Sequence, residues 1–330
     1  MDKIFKIQNL DMFYPITKGF GRRIIGHVKA INDLTFDICA GETLGVVGES
    51  GCGKTTLGGC IIRLLEPSSG SIVYHQSDGV ENELVGIKEK DLRFYRKEAQ
   101  MIFQDPYSSL NPRMTVKDLV SEPLIVNGLV KKQEINERVA NMLNRMGLRS
   151  DYMKRYPHAF SGGQRQRISI ARSLIVEPRF VVCDEVVSSL DVSVQAQIIE
   201  LLKELQEQSK YTYLFISHDL SVIRYISDRV MVMYLGHIVE LCATEELFDN
   251  TRHPYTKALI DSVPDLDPSK KIELNIIGEV GDASKENEGC NFYPRCKIAV
   301  KKCSEITPEL YNCGSPEQPH YVRCHFAMGG

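Results

Sequence analysis

Eight consecutive residues carry the plainest chemistry in the sequence. Gly48-Glu49-Ser50-Gly51-Cys52-Gly53-Lys54-Thr55 fits the spacing G-x-x-x-x-G-K-[ST]. Glycines at these places let backbone N–H groups turn inward around a β-phosphate. The Lys54 ammonium would reach the β/γ oxygens, and the Thr55 hydroxyl would ligate Mg²⁺, with Thr56 next in the same turn. A helix starting here adds the positive end of its dipole. The bland alternative is a glycine turn with a surface lysine. Context favours the first reading. TLGVVG precedes the loop as an apolar run, and apolar residues recur from Lys54 to Leu65, giving strand, loop and helix.

Two further groups have matching chemistry. Asp184-Glu185 closes the apolar run FVVC. A carboxylate at that strand end can hold a Mg²⁺ hydration shell, and its neighbour can take a proton from an attacking water. Alone, the pair would equally well be an acidic strand-end cap. Ser161 opens a helix, with Gln164 three residues on as its capping-box partner. Gly162 and Gly163 leave that helix tip bare, so it can receive an anion. The tip lies far in sequence from the phosphate loop.

The elements that must position these residues read as an α/β layer. Residues 4–8 and 34–38 suit short strands. FVVCDE (180–185) and YTYLFIS (211–217) suit buried ones, with a long helix over 192–209 between them. Residues 75–90 read as a solvated loop. Helical spacing runs from Val116 to Met146, with Pro123 as a break. After about residue 264 the pattern fades into polar sequence and then a cysteine-rich tail.

Composition narrows the class. Of 330 residues, 43% are hydrophobic and 25% charged, which fits a globular chain and not a disordered one. Net charge is -3, so the chain is not a general polyanion binder. Arg165, Arg167 and Arg172 form a basic stretch without interleaved aromatics, and nucleic acid is not expected. No apolar run reaches the ~18–20 residues of a membrane span. The start, MDKIFKIQNLDMFY, lacks a signal-peptide pattern.

At this point a resemblance is plain. Phe160-Ser161-Gly162-Gly163-Gln164 resembles the signature loop of the ATP-binding-cassette ATPases. Gln104 in MIFQDP resembles their Q-loop, Ser188-Ser189-Leu190-Asp191 their D-loop, and His218 in FISHDL their switch histidine. The resemblance covers about residues 1–260. It implies an α/β, P-loop NTPase cassette with a mixed/parallel sheet core, an inserted helical subdomain and a small Cys-rich C-terminal extension. It implies ATP and Mg²⁺ as ligands. ATP would contact Tyr14 (or Phe13) at the adenine and residues 48–56 at the phosphates. Thr55, Gln104 and Asp184 would serve the metal. Glu185 would be the base, with His218 and Gln104 at the γ-phosphate. Ser161, Gly162, Gly163, Gln164 and Asp191 would complete the ATP held by a second subunit. Relatives usually carry proline after the catalytic glutamate. Here it is Val186, which leaves the turn less fixed.

Further segments resemble the oligopeptide/dipeptide importer branch, and its F-type subunit: SLNPRM, SLDVSVQAQ, the early insertion YPITKGFGRRIIGHVKA, and His253-Pro254-Tyr255-Thr256-Lys257-Ala258-Leu259. Pro254 suits a helix first turn, and that helix is expected to pack without chemistry. This implies an ATPase domain over 1–263, with a helical subdomain at about 105–178, and a C-terminal region over 264–330. The implied partners are a paralogous ATPase subunit sharing two sandwiched ATPs, two integral-membrane permeases, and an extracellular peptide-binding protein through the assembly. The implied place is the cytoplasmic face of the cell membrane, peripherally. The alternatives are a nickel importer's ATPase subunit and a soluble cassette ATPase outside transport.

Five of the ten cysteines crowd the tail: Cys290, Cys296, Cys303, Cys313 and Cys324. Without a secretory signal, a disulfide framework is not expected. Four thiolates can hold zinc or an iron–sulfur cluster. The resemblance implies a [4Fe–4S] cluster on Cys290, Cys296, Cys303 and Cys324, with Zn²⁺ or free thiols as alternatives. Cys313 is extra. A short tail has little core of its own and would benefit from such a staple.

Overall fold

Alternating apolar residues carry the start of the chain into strand β1 (Lys3–Lys18), whose Ile4, Phe5, Ile7 and Leu10 are buried. It turns into β2 (Arg23–Cys39), and the two pair antiparallel from Phe5↔Ile38 to Lys18↔Arg23. The computed structural model describes residues 2–19, 21, 23–262 and 288–327. The hairpin is much longer than the segments 4–8 and 34–38 that alternation suggests. Its outer part is largely exposed and carries Pro15, Gly19 and Gly26, so no apolar face marks it. The backbone ladder alone continues it.

The described chain divides into two compact units. The first comprises residues 1–86 and 217–330. Its opening part continues with β3 (Thr43–Val47), buried throughout, and α1 (Lys54–Ile61). Then follow β4 (Ser69–His75) and the short β5 (Glu81–Glu83), which lies inside the expected loop over 75–90. A four-stranded sheet runs β2-β1-β4-β5, every neighbour pair antiparallel.

The second unit spans Ile87–Ile216. Along it lie α2 (Arg93–Glu98), β6 (Ala99–Ile102), α3 (Pro106–Ser109), α4 (Val116–Val126) and α5 (Ile135–Arg145). They are followed by α6 (Gly162–Leu174), β7 (Phe180–Asp184), α7 (Val192–Ser209) and β8 (Thr212–Ile216). β6, β7 and β8 pair in parallel, with Met101↔Val182 and Val182↔Leu214 in register. Every residue of β7 and β8 is buried. Strands buried on both faces read as unbroken apolar runs, which is why the sequence marks them so well. Each buried Val, Leu, Ile or Phe contributes roughly 1.5–3 kcal/mol of transfer free energy. Pro123 does not break the helical section. It sits inside α4, which runs to Val126 from a Thr115–Asp118 capping box. The box and four buried apolar residues, Val116, Leu119, Val120 and Leu124, outweigh one missing N–H.

The chain then returns to the first unit. Here lie α8 (Leu220–Ile226), β9 (Arg229–Tyr234), β10 (His237–Ala243), α9 (Thr244–Asp249) and α10 (Pro254–Asp261). Beyond residue 287 come α11 (Lys301–Glu305), β11 (Tyr311–Asn312) and β12 (Tyr321–Val322). Within this unit β9 pairs in parallel with β3 and antiparallel with β10. β12 adds to the far edge of β10, Glu240↔Val322, and β11 to β12. The tail thus extends a sheet of the cassette. Among the described residues no helix is long and apolar enough to cross a membrane.

Candidate functional site

The phosphate loop needs its glycines for reasons of space. Gly48 has φ +150° and Gly53 has φ +104°. A Cβ on Gly48 would run into the Met233 carbonyl, and one on Gly53 into that of Ala30. The loop is therefore pressed between β2 and β9, where only glycine fits. Lys54 opens α1 and is 6% exposed. Its Nζ donates to the carbonyls of Gly48 at 2.7 Å and Glu49 at 3.0 Å. Thr55 is exposed and Thr56 half-buried in the same first turn. Burial raises the Cys52 thiol, and the Lys54 charge opposes that shift.

Two more predicted residues share this unit. Tyr14, paired with Val28, is 37% exposed, while the Lys29 ammonium lies 5.8 Å from the Phe13 ring. Phe13 is thus engaged internally, and Tyr14 is the one left open for stacking. His218 is exposed just before α8. The preceding Ser217 donates its N–H to Val46 at 3.2 Å, next to the strand end that feeds the phosphate loop.

In the second unit the acidic pair and the glutamine come together. Asp184 ends β7 and is 5% exposed. Glu185 follows with φ 47°, a left-handed conformation unusual for a residue with a side chain. Gln104 Nε2 donates to Glu185 Oε2 at 2.6 Å. Val186 is fully buried. The turn lacks proline but is tied by Glu185 N–H to the Ile216 carbonyl (3.0 Å) and by the Ser188 hydroxyl to the Glu185 carbonyl (2.9 Å).

The Ser161 helix tip has both arms of its capping box. Gln164 N–H donates to Ser161 Oγ at 3.4 Å, and Ser161 N–H to Gln164 Oε1 at 3.1 Å. Its two glycines differ in purpose. A Cβ on Gly162 would meet Leu190 at an ordinary 3.7 Å, whereas one on Gly163 would collide with Val194 Cγ1. Close packing of α6 on α7 therefore accounts for Gly163 without any ligand. Asp191 caps α7, accepting from Ser193 Oγ at 2.7 Å and Val194 N–H at 3.0 Å, and these bonds lower its pKa. The three arginines are engaged locally. Arg165 donates to the Pro157 carbonyl, Arg167 to that of Met146, and Arg172 to that of Ser109 and to Glu122.

All ten cysteines are free. Burial pushes the Cys290 thiol up to about 11, against a backbone amide at Phe292, and neighbouring Cys324, Cys303 and Cys296 push it further. Cys296 and Cys324 are likewise raised by burial, with cysteine neighbours adding. So Cys290, Cys296, Cys303 and Cys324 neighbour one another. Even so, among the described residues no three His, Cys, Asp or Glu side chains stand close enough to hold a metal ion. The described residues therefore lend the expected [4Fe–4S] ligand set no support. The tail packs on the cassette's core. Phe292 packs on Tyr234 (5.4 Å, edge-on) and Tyr255 (5.4 Å), and β12 joins β10.

Sequence reasoning misses one contact set altogether. The Tyr255 hydroxyl accepts the Glu49 N–H at 2.9 Å, and Arg295 donates to the Glu49 carboxylate at 2.7 and 2.9 Å. No spacing links positions 49, 255 and 295. Only the HPY segment gives a signal, and it reads as packing.

The chain is similar to known proteins of one family. Residues 31–188 match the ABC transporter family, and residues 239–303 match the oligopeptide/dipeptide transporter C-terminal region. The oligopeptide transport ATP-binding protein AppF of Bacillus subtilis is 45% identical over 328 residues, 98% of this chain and 97% of that one. OppF of the same organism is 50% identical over 296 residues, 88% and 93% of the two chains. Among solved structures, the post-hydrolysis dimer of the ATP-binding cassette MJ0796 bound to ADP and Pi is similar with a TM-score of 0.63 and 25% identity, over 73% of this chain and 98% of that one. The chain belongs to the ABC transporter ATPases, in the branch that carries the oligopeptide/dipeptide transporter C-terminal region.

Proposed function

We propose that this chain hydrolyses ATP to power the import of dipeptides or oligopeptides through membrane permeases. The observation that carries the ATPase reading is the 2.6 Å bond between Gln104 and Glu185 at the end of a fully buried strand. The bond joins the carboxylate that this reading takes as the base to the amide it takes as the phosphate sensor. The peptide reading rests on the names of the relatives and on the match over residues 239–303.

The loop amides and Lys54 hold the β- and γ-phosphates. This reading assigns Thr55, Gln104 and Asp184 to Mg²⁺ and its waters, because each offers an oxygen donor. When bound, the ion supplies charge neutralisation on the phosphates. Glu185 takes a proton from the attacking water, which adds to the γ-phosphorus as the bond to the ADP oxygen breaks. His218 steadies the γ-phosphate. Ser161, Gly162, Gly163 and Gln164 of this chain in turn close, from outside, the ATP site of a paralogous ATPase subunit, and Asp191 lies beside that surface. Tyr14 stacks on adenine.

On this reading residues 1–263 form the ATPase and residues 264–330 the accessory region. The chain sits peripherally on the cytoplasmic face of the membrane, on two permeases fed by an extracellular peptide-binding protein. Co-purification from membranes with two permeases, followed by uptake of labelled peptides, tests it. Uptake of nickel in place of peptide overturns the substrate reading.

For the tail we infer a thiol site that forms only when its four cysteines are drawn together, with [4Fe–4S] as the ligand and zinc as the alternative. Support comes from their mutual proximity, with Cys313 the fifth thiol outside the set. Iron and acid-labile sulfide assays on anaerobically purified protein test it, and a folded, metal-free protein removes it.

A further inference from the structure

The second residue of the phosphate loop is gripped from three sides. Glu49 gives its N–H to the Tyr255 hydroxyl at 2.9 Å. Its carbonyl accepts from Lys54 at 3.0 Å. Its carboxylate accepts two bonds from Arg295, at 2.7 and 2.9 Å. Arg295 is 6% exposed and the Glu49 side chain 20%. The guanidinium also donates to the Tyr234 hydroxyl at 3.3 Å, and the Glu49 bonds raise its pKa above the usual arginine value. An arginine fork on a carboxylate fixes direction as well as distance.

Arg295 ends the short 3₁₀ turn Tyr293–Arg295, inside the cysteine-rich tail. That turn is seated by Phe292 against Tyr234, Tyr255 and His253. Tyr234 and Tyr255 pack on each other at 4.7 Å. Two of the three residues that meet at Glu49, Tyr255 and Arg295, therefore belong to one aromatic cluster. An unpaired carboxylate in a phosphate cradle repels the ligand, and the repulsion is strong where water is scarce. Paired with Arg295, it contributes no net charge.

We propose that Arg295 is a positioning residue for ATP binding. It cancels the Glu49 charge and, with Tyr255, holds residue 49 so that the loop amides converge on the phosphates. The tail is then part of the nucleotide site. This goes beyond the transport reading but rests on the ATP-binding part of it.

A pair that only pins the tail would affect stability and leave nucleotide affinity alone. The test is MgATP titration of the full chain, followed by circular dichroism and steady-state ATPase kinetics. Wild-type protein that binds no ATP overturns the nucleotide reading itself. With wild-type binding in hand, Arg295→Met raises the Kd about tenfold, raises KM with it and leaves kcat within about twofold. Arg295→Lys recovers part of the affinity, because charge remains while the fork is lost. Glu49→Gln combined with Arg295→Met returns to within about threefold of wild type, since both charges are gone while Tyr255 and Lys54 still hold the backbone. Tyr255→Phe keeps the ring packing and raises the Kd about threefold. Equal Kd values in wild type and folded Arg295→Met overturn the proposal. If that variant does not fold, unchanged Kd values in both Arg295→Lys and Tyr255→Phe overturn it.

Discussion

Glu185 occupies a left-handed backbone conformation that side chains rarely adopt, and such strain persists only where surroundings enforce it. Two hydrogen bonds and the buried Val186 side chain enforce it here, where the family resemblance leads one to expect a proline ring. The substitution at 186 therefore need not loosen the turn. Glu185→Gln is expected to slow ATP hydrolysis by about 10²–10⁴-fold while ATP still binds, as for loss of a general base. Single-turnover assays with a nucleotide-binding titration check this, and unchanged turnover would reassign the base. Lys54→Ala is expected to abolish tight MgATP binding, because the cation beside the Gly48 and Glu49 carbonyls is lost. Retained affinity in an equilibrium titration would argue against the cradle. Residues 48–55, 184 and 185 are legible in sequence because their chemistry is local. Arg295 is not, since 246 positions separate it from Glu49 and no periodicity spans that gap.

At the level of elements, legibility follows burial. β7, β8 and α7 stand where the sequence puts them, because continuous apolar runs mark the two strands and set the bounds of the helix between them. The outer β1–β2 ladder is invisible beforehand, because backbone bonds hold it and few apolar side chains do. The Ser161 tip shows how one motif serves two demands. Its cap stabilises α6, and Ser161→Ala should cost about 1 kcal/mol. That loss reads as a small fall in the urea midpoint, and ATP-driven pairing with the second ATPase should be lost alongside it. Gly163→Ala forces a methyl into Val194. It is expected to destabilise the chain, with relief in the Gly163→Ala, Val194→Ala pair. A thermal melt of both variants separates crowding from ligand contact, since a purely ligand-facing glycine would leave the melting temperature unchanged.

Across the whole molecule, the first unit is joined by a buried polar seam. Glu240, fully buried, accepts the backbone N–H groups of Arg252 (2.8 Å) and His253 (3.1 Å) and meets His320 Nε2 at 2.7 Å. His253 in turn accepts the Tyr255 N–H at 3.0 Å as the cap of α10. Burial holds His253 at about 4, against the pull of Glu240. Burial also lowers His237 to about 4. Both stay neutral when folded, while the unfolded chain gains protons below pH ~6.5. Stability is therefore unaffected above that pH, falls between about 6.5 and 4, and levels off below. The slope is about 1.4 kcal/mol per pH unit for each histidine. Urea midpoints across that range measure it. His253→Asn keeps an acceptor for Tyr255 without titrating, so it should remove about half the slope. An unchanged slope would locate the effect elsewhere.

The addition of β12 to β10 has a practical consequence for anyone shortening this protein. A chain ended after α10 would bare a ribbon of unsatisfied amides and carbonyls along β10, flanked by the apolar Ile238, Val239 and Leu241. Such a margin zips onto its own copies. A trimmed cassette made for crystallisation should scatter light and precipitate at concentrations where the full chain stays clear. Charged replacements on the bared margin, such as Leu241→Lys, should restore clarity without restoring what the missing segment did.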